Sequence, residues 1–424
     1  MPGLLLLAGC ALLGAAIGCL TGLIPGLHVN TMALLLLSLS GVLAGVLPDG
    51  DAGGLLLVAV TVAAASMVHT FVNIIPATFL GAPEEGTALV LLPAHALLRE
   101  GRGYEAVRLS AAGSAAAVGL GFLLLIPFRL LMGPPLNGYS LMMDVVPWVL
   151  VAVALVMVGT EKSPRHVALA AGVFLLAGIY GLLLDAVPVS SPLNLPGSLL
   201  FPALVGLFGV PTLLHAMRSG PLPEQQAGEA GAEVECGLPE TGRGVLAGSL
   251  VSVLPGVTAA VGTILALTGS KTWSRERVVV ALSAVNTATA FFVLAVLFIA
   301  GQARSGTAMV MRELVAVETW SGVLPSPACC LTLAAVVVAA VVGFYATLYL
   351  GQWAASRVTA LPYPLLATAS LAFILLLVVL FTFWQGVLVL LVGAVIGLLC
   401  LEVRVRRSVL MGVLMVPIVV SYLA

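Results

Sequence analysis

Long runs of apolar residues with no charge in them constrain this chain more than any other feature. The stretch 53 to 81 carries no Asp, Glu, Lys or Arg, and neither does 365 to 384. Charged residues make up 8% of the whole and hydrophobic residues 61%. A water-soluble domain normally carries about 25% charged residues, because that is what covers its surface. The solvent around this chain is therefore lipid.

A hydrocarbon core about 30 Å thick needs roughly 20 apolar residues per helix, so the chain has material for about ten spans and their loops. A β-barrel would alternate apolar and polar residues in segments of about ten, whereas these runs are continuously apolar. They fall at 4–47, 53–81, 106–130, 145–159, 166–185 and 199–217, then at 244–269, 277–301, 326–351, 365–384, 386–401 and 408–423. Between the two sets lies 218–243, rich in Gly, Pro, Glu and Gln, which reads as a flexible cytoplasmic linker. The expected domains are a first membrane unit at 1–217, that linker, and a second membrane unit at 244–424.

The net charge of −1 and the lack of a basic run longer than Arg404–Arg407 leave no footprint for nucleic acid. The cysteines show no CxxC or Cys/His spacing, so no metal site is expected. The N-terminus lacks the basic flank of a signal peptide and is expected to be retained.

Basic residues gather in alternate loops: Arg99, Arg102 and Arg108, then Lys162 and Arg165, then Arg218 and Arg243. The intervening loops carry Asp49 and Asp51, Asp144, and Asp185, with Arg129 as an exception read as a snorkelling side chain. The positive-inside rule makes the first set cytoplasmic. It extends to Lys271, Arg275, Arg277 and Arg357 only if 244–269 enters and leaves on one side, as a re-entrant hairpin.

An internal repeat supports that reading. Residues 14–40 align without a gap with 244–270, with Gly14, Gly18, Leu20, Pro25, Gly26, Leu35, Leu37 and Ser40 identical to their counterparts. Asn73 is matched with Asn286, and Gly86-Thr87-Ala88 with Gly306-Thr307-Ala308. Five spans separate the first Pro-Gly pair from the second, and an odd number reverses direction. The expected fold is thus an all-α polytopic integral membrane protein of two inverted repeats, each a Pro-Gly re-entrant hairpin (14–40 and 244–270) plus about five transmembrane helices. Pro and Gly break the helical ladder and leave backbone groups unpaired at each tip, which membrane depth tolerates only in protein or beside a wet cavity. Alternatively, the two pairs simply kink packed helices.

The segments GAAIGCLTGLIPGLHVNT, FLGAPEEGTALVLLPAHALLREGRGYEAVRLSAAGS and GVLAGSLVSVLPGVTAA resemble the large membrane subunit of tripartite tricarboxylate transporters, the TctA-type permease. The chain is shorter than typical members and similar to the archaeal branch. It has Leu27-His28-Val29-Asn30 and Val257-Thr258-Ala259-Ala260 where the family carries small residues at the tips. The Pro-Gly segments are also similar to those of bacterial polyprenyl-phosphate translocases.

Polar residues at membrane depth are the candidate site. Substrate-binding candidates are Pro25, Gly26, His28, Asn30, Thr31, Asn73, Pro255, Gly256, Thr258, Asn286, Thr287, Gly306 and Thr307. A half-helix starting after each tip would aim its N–H groups at an anion, and His28 would add a protonatable group. His69, four residues before Asn73 on one helical face, and the pair Glu84 and Glu85 are candidates for coupling to H⁺ or Na⁺. Each has a purely structural alternative: interhelical hydrogen bonding for the His, Asn and Thr residues, and a solvated loop pair for the glutamates. No HExxH, GxSxG, P-loop or GxGxxG occurs in context, so an enzyme is not expected, nor a cofactor beyond a coupling ion.

The resemblance implies ion-driven secondary transport of a di- or tricarboxylate by alternating access in the plasma membrane, assisted by a periplasmic binding protein and a small membrane subunit. A flippase for a polyprenyl-phosphate carrier, or a non-transporting membrane scaffold, are the alternatives.

Overall fold

Lipid offers no partner to a backbone N–H or C=O, so an apolar run must close its own hydrogen bonds as a helix. The computed structural model describes residues 3–24, 32–33, 36–37, 40, 50–81, 89, 91–188, 199–217, 223–226, 237–254, 259–267, 274–358 and 363–423, and no strand occurs among them. The first half holds α1 (Leu4–Leu23), α2 (Gly50–Val72), α3 (Ile74–Phe79), α4 (Leu91–Arg99), α5 (Gly103–Met132), α6 (Gly138–Gly159) and α7 (Pro164–Ala186). It closes with α8, in which Leu200–Leu204 joins Val210–Met217 through a π-helical turn at Val205–Gly209. The second half holds α9 (Leu238–Val253), α10 (Ala259–Leu267), α11 (Arg275–Ala300), α12 (Gly306–Leu314), α13 (Pro327–Val358) and α14 (Tyr363–Glu402). Last comes α15, a 3₁₀ turn at Arg407–Met411 continued by Gly412–Leu423.

Among the described residues seven helices are long and apolar enough to cross a membrane, and the bent pair in α6 makes up to eight. Two shorter apolar helices, Leu200–Leu214 and Arg407–Tyr422, accompany them. The chain is thus an all-helical, multi-pass membrane protein. Helix α14 runs through the boundary expected between 384 and 386, but with non-helical backbone at Phe383. The polar stretch 218–243 is not structureless throughout. Helix α9 begins at Leu238, started by Pro239 in its first turn, and Gln225 holds the turn before α5 by accepting from the Gly103 N–H (2.9 Å) and donating to the Leu98 carbonyl (3.1 Å).

Two glycine seams set the geometry of the bundle. A Cβ placed on Gly18 would lie 2.5 Å from the Ala65 carbonyl oxygen and 2.8 Å from the Val68 Cβ, and Gly14 meets Thr61 and Ala64 in the same way. In the second half Gly244 would meet the Ala281 oxygen at 2.5 Å, and Gly248 would meet the Val285 oxygen and the Ala288 Cβ at 2.8 Å. Only glycine permits such an approach, which is how helices associate where lipid supplies no hydrophobic drive between them. Numbering rises along both members of each seam, so α1 runs parallel to α2 and α9 parallel to α11. Glu240 beside Arg277 (3.5 Å) extends the second seam in the same register.

The seams also fix depth. Leu23, the last residue of α1, is level with Thr70, nine residues short of the end of α3 at Phe79, a distance of about 13 Å along the axis. Val253, the last residue of α9, is level with Ala290, and α11 continues for about another 15 Å to Ala300. Gly262 of α10 then packs back against Val251 and Val285, so α9 and α10 form an antiparallel hairpin. Both arms end part-way along the helix that carries them.

The arms run in opposite directions. Phe79, at the end of α3, touches the position of Gly103 at the start of α5. Arg102 beside it bonds Glu276 at the start of α11 (2.7 Å). At the other end Gly133, just past α5, meets Ile299 of α11. Helix α2 is therefore antiparallel to α11, and α1 to α9.

Candidate functional site

The layer where the arms pass each other is polar and buried. His69 Nδ1 lies 3.0 Å from Thr21 Oγ1, joining α2 to the first arm. One residue on, Thr287 Oγ1 of α11 donates to Thr70 Oγ1 at 3.2 Å, joining the two halves. Three residues further, α2 breaks at Asn73. The carboxamide oxygen of Asn73 is buried and has no hydrogen-bond partner, and the same holds for Thr78 Oγ1 in α3. Pro76 cannot donate to the Val72 carbonyl, which is why a break falls here. An orphaned acceptor in a buried site costs about 1–3 kcal/mol, so this oxygen suits a hydroxyl, a protonated carboxyl or a cation. Asn286, half-buried on α11 next to Thr287, stands at nearly the same depth. Helix α10 starts at Ala259 with no acidic residue in its first turn, so its free N–H groups begin next to the second tip.

The structure therefore gathers His69, Asn73, Asn286 and Thr287 into one layer, and adds Thr21 and Thr70, which sequence reading passed over. Thr21 could have been found from its place four residues before Pro25. Gly306 and Thr307 do not join the layer: they open α12, beyond the end of α11, where Ser305 caps the helix by accepting from the Ala308 N–H (3.1 Å). Pro25, Gly26, His28, Asn30, Thr31, Glu84, Glu85, Pro255, Gly256 and Thr258 lie outside the described residues. No group of three or more His, Cys, Asp or Glu able to hold a metal occurs among the described residues.

At the basic end, Arg102 is held in a two-pronged bond by Glu105 (2.7 and 2.6 Å) and also reaches Glu276. Hydrogen bonds that it donates to Glu105 push its pKa up, burial opposes them, and Glu276 adds to the rise. Arg275 pairs with Glu100 across the same junction. The short basic segment Arg99–Arg102 thus fastens the first half to the second. At the opposite end Arg129 does not snorkel. It is buried and donates to the carbonyls of Trp320 (3.3 Å), Ser321 (2.6 Å) and Gly322 (3.2 Å).

Arms ending at membrane depth from opposite directions, with polar groups from both halves between them, are the architecture of a transport site. The family model of the tripartite tricarboxylate transporter TctA family matches residues 8–412. The chain belongs to that family. A transport role follows from membership, and the family is one component of a tripartite transporter. An uncharacterized protein of Methanocaldococcus jannaschii is 28% identical over 308 residues, 72% of each chain. No solved structure matches this TctA family member.

Proposed function

We propose that this TctA family protein is a secondary transporter of a small organic anion of the di- or tricarboxylate class, working by alternating access in the plasma membrane. Its two halves act as inverted repeats, and the anion is held at mid-depth between the two Pro-Gly tips. The observation that carries this reading is the buried layer containing the Thr70–Thr287 bond and the unpartnered Asn73 oxygen, to which both halves contribute. Backbone N–H groups at the tips bind the carboxylates, since no described Lys or Arg belongs to that layer. The Asn73 oxygen receives a substrate hydroxyl or the coupling ion, H⁺ or Na⁺. The basic end faces the cytoplasm. An extracytoplasmic binding protein delivers the anion to the other end, and a small membrane subunit completes the complex.

The flippase alternative calls for a cationic site open to lipid. The lipid-facing groove between α6, α7 and α15, about 310 Å³, is lined by apolar residues such as Leu150, Phe174 and Val416 and contains no cation.

The test is exchange of radiolabelled citrate by the purified chain in proteoliposomes, for wild type, Asn73→Ala and Gly256→Leu. Exchange in the wild type that falls at least tenfold in both variants, with folding intact, supports the reading. Absence of exchange, together with thermal stabilisation by a short-chain polyprenyl phosphate, would move the protein to lipid-carrier recycling.

A further inference from the structure

The end of the bundle opposite Arg102 contains a second place suited to an anion, far from the mid-depth layer. A cavity of about 380 Å³ opens there between the end of α5, the start of α6, the end of α11 and the loop after α12. Asn137, Tyr139, Ser140, Thr319, Trp320 and Ser321 line it.

Two arginines stand behind its walls. Arg129 lies 5.9 Å from the centre of the Trp320 ring and is bonded through Nε and Nη2 to carbonyls of the Trp320–Gly322 turn. Arg304 lies 4.8 Å from the centre of the Tyr139 ring. Its other contacts are the Met143 sulfur (2.9 Å), a weak acceptor, and the Tyr422 hydroxyl, and neither carries a charge to balance the guanidinium. Its Nε is buried without a partner, and so is the indole N–H of Trp320. Among the described residues neither arginine forms an ion pair, although Asp144, Glu313 and Glu318 lie near them in sequence. Burial works against the Arg304 charge, and Tyr422 offsets that only in part.

Two half-buried or buried cations with no carboxylate, plus a buried N–H with no acceptor, form an excess of donors around a polar cavity. Such a deficit is costly until an anion enters. Guanidinium groups match the flat, two-oxygen edge of a carboxylate better than any other side chain. We propose that this cavity is a vestibular binding site for a carboxylate anion, distinct from the mid-depth site. The Trp320 indole contacts the anion there, Arg304 supplies the balancing charge from behind Tyr139, and Arg129 positions Trp320. An anion released at this end is captured before it reaches the tips. The vestibule rests on its own residues and stands whether or not the mid-depth reading does.

The test titrates the purified full chain with citrate and follows tryptophan emission, with sulfate and inorganic phosphate as comparison anions. A saturable change is expected that Trp320→Phe abolishes and whose midpoint Arg304→Gln raises at least tenfold. Arg304→Lys should recover part of that loss, and unfolding midpoints verify that the variants fold. No saturable change in the wild type, or midpoints unmoved by Arg304→Gln, would overturn the proposal. Equal midpoints for sulfate and citrate would overturn the carboxylate class. The titration is repeated in Asn73→Ala. A retained signal there supports two separate sites, whatever becomes of citrate exchange, whereas a signal lost with Asn73 means one site and no vestibule.

Discussion

Thr70 and Thr287 hydrogen-bond to each other at 3.2 Å in the buried middle of the bundle, one from each half of the chain. Their helices are antiparallel, so this contact sets the two arms against each other in depth. The last helical residue of the first arm, Leu23, is level with Thr70, and that of the second, Val253, is level with Ala290, just beyond Thr287. The described ends of both arms therefore lie within about 5 Å of the level of the shared hydrogen bond.

Thr70→Val and Thr287→Val are nearly isosteric with the native residues and remove only the hydroxyls. Hydrogen bonds of this kind in membrane bundles average about 0.6 kcal/mol. A double-mutant cycle on unfolding in detergent should return a coupling of about that size, and a coupling indistinguishable from zero would mean that the bond does not tie the halves.

The seam glycines should be intolerant of a single methyl group. Gly18→Ala and Gly248→Ala push a Cβ into a carbonyl oxygen at 2.5 and 2.8 Å, and overpacking of this kind costs about 1–3 kcal/mol. Gly119, in α5, has no atom within 4 Å of its would-be Cβ. Unfolding midpoints should fall for the first two and stay level for Gly119→Ala. Equal midpoints in all three would show that the seams are slack.

Asn73→Leu should separate stability from transport. The substitution removes an acceptor buried without a partner, so the unfolding midpoint should hold or rise, while substrate exchange should fall at least tenfold. A marked fall in stability would instead make Asn73 a structural residue.

The tie at Arg102 is partly exposed, with the side chain 31% accessible, so salt should weaken it. Arg102→Gln is expected to destabilise by less than about 1 kcal/mol per ion pair in dilute buffer. The difference should shrink in 1 M KCl, where the screening length is about 3 Å. A salt-independent effect would point to the packing of the aliphatic stem instead.

The spans were legible because charge-free apolar runs leave a chain few choices, and even the break at Phe383 falls where two runs were separated. Asn73 was legible as a polar residue at depth. The correspondence between halves was harder to read. The hairpins match at a spacing of 230, yet the seams relate Thr61 to Ala281 and Ala65 to Val285, a spacing of 220. The chain returning from the first arm is ten residues longer than that from the second, and a gapless comparison cannot show this. At 220 Gly86 corresponds to Gly306, but Asn73 corresponds to Val293 and Asn286 to Ser66. The two asparagines share a depth because α2 and α11 are antiparallel, and they are not repeat partners. Thr21, Thr70 and the Arg129 clamp were hidden because their roles come from neighbours distant in sequence.

The parallel seams also bear on how the protein is made. A Pro-Gly hairpin left alone in lipid exposes unpaired backbone, and its main shelter is the helix whose carbonyls line the glycines of its arm. Yet α1 leaves the ribosome before α2, and α9 before α11. In each half the arm is synthesised first and docks second, so its entry into the bilayer must wait until the following helix has been threaded.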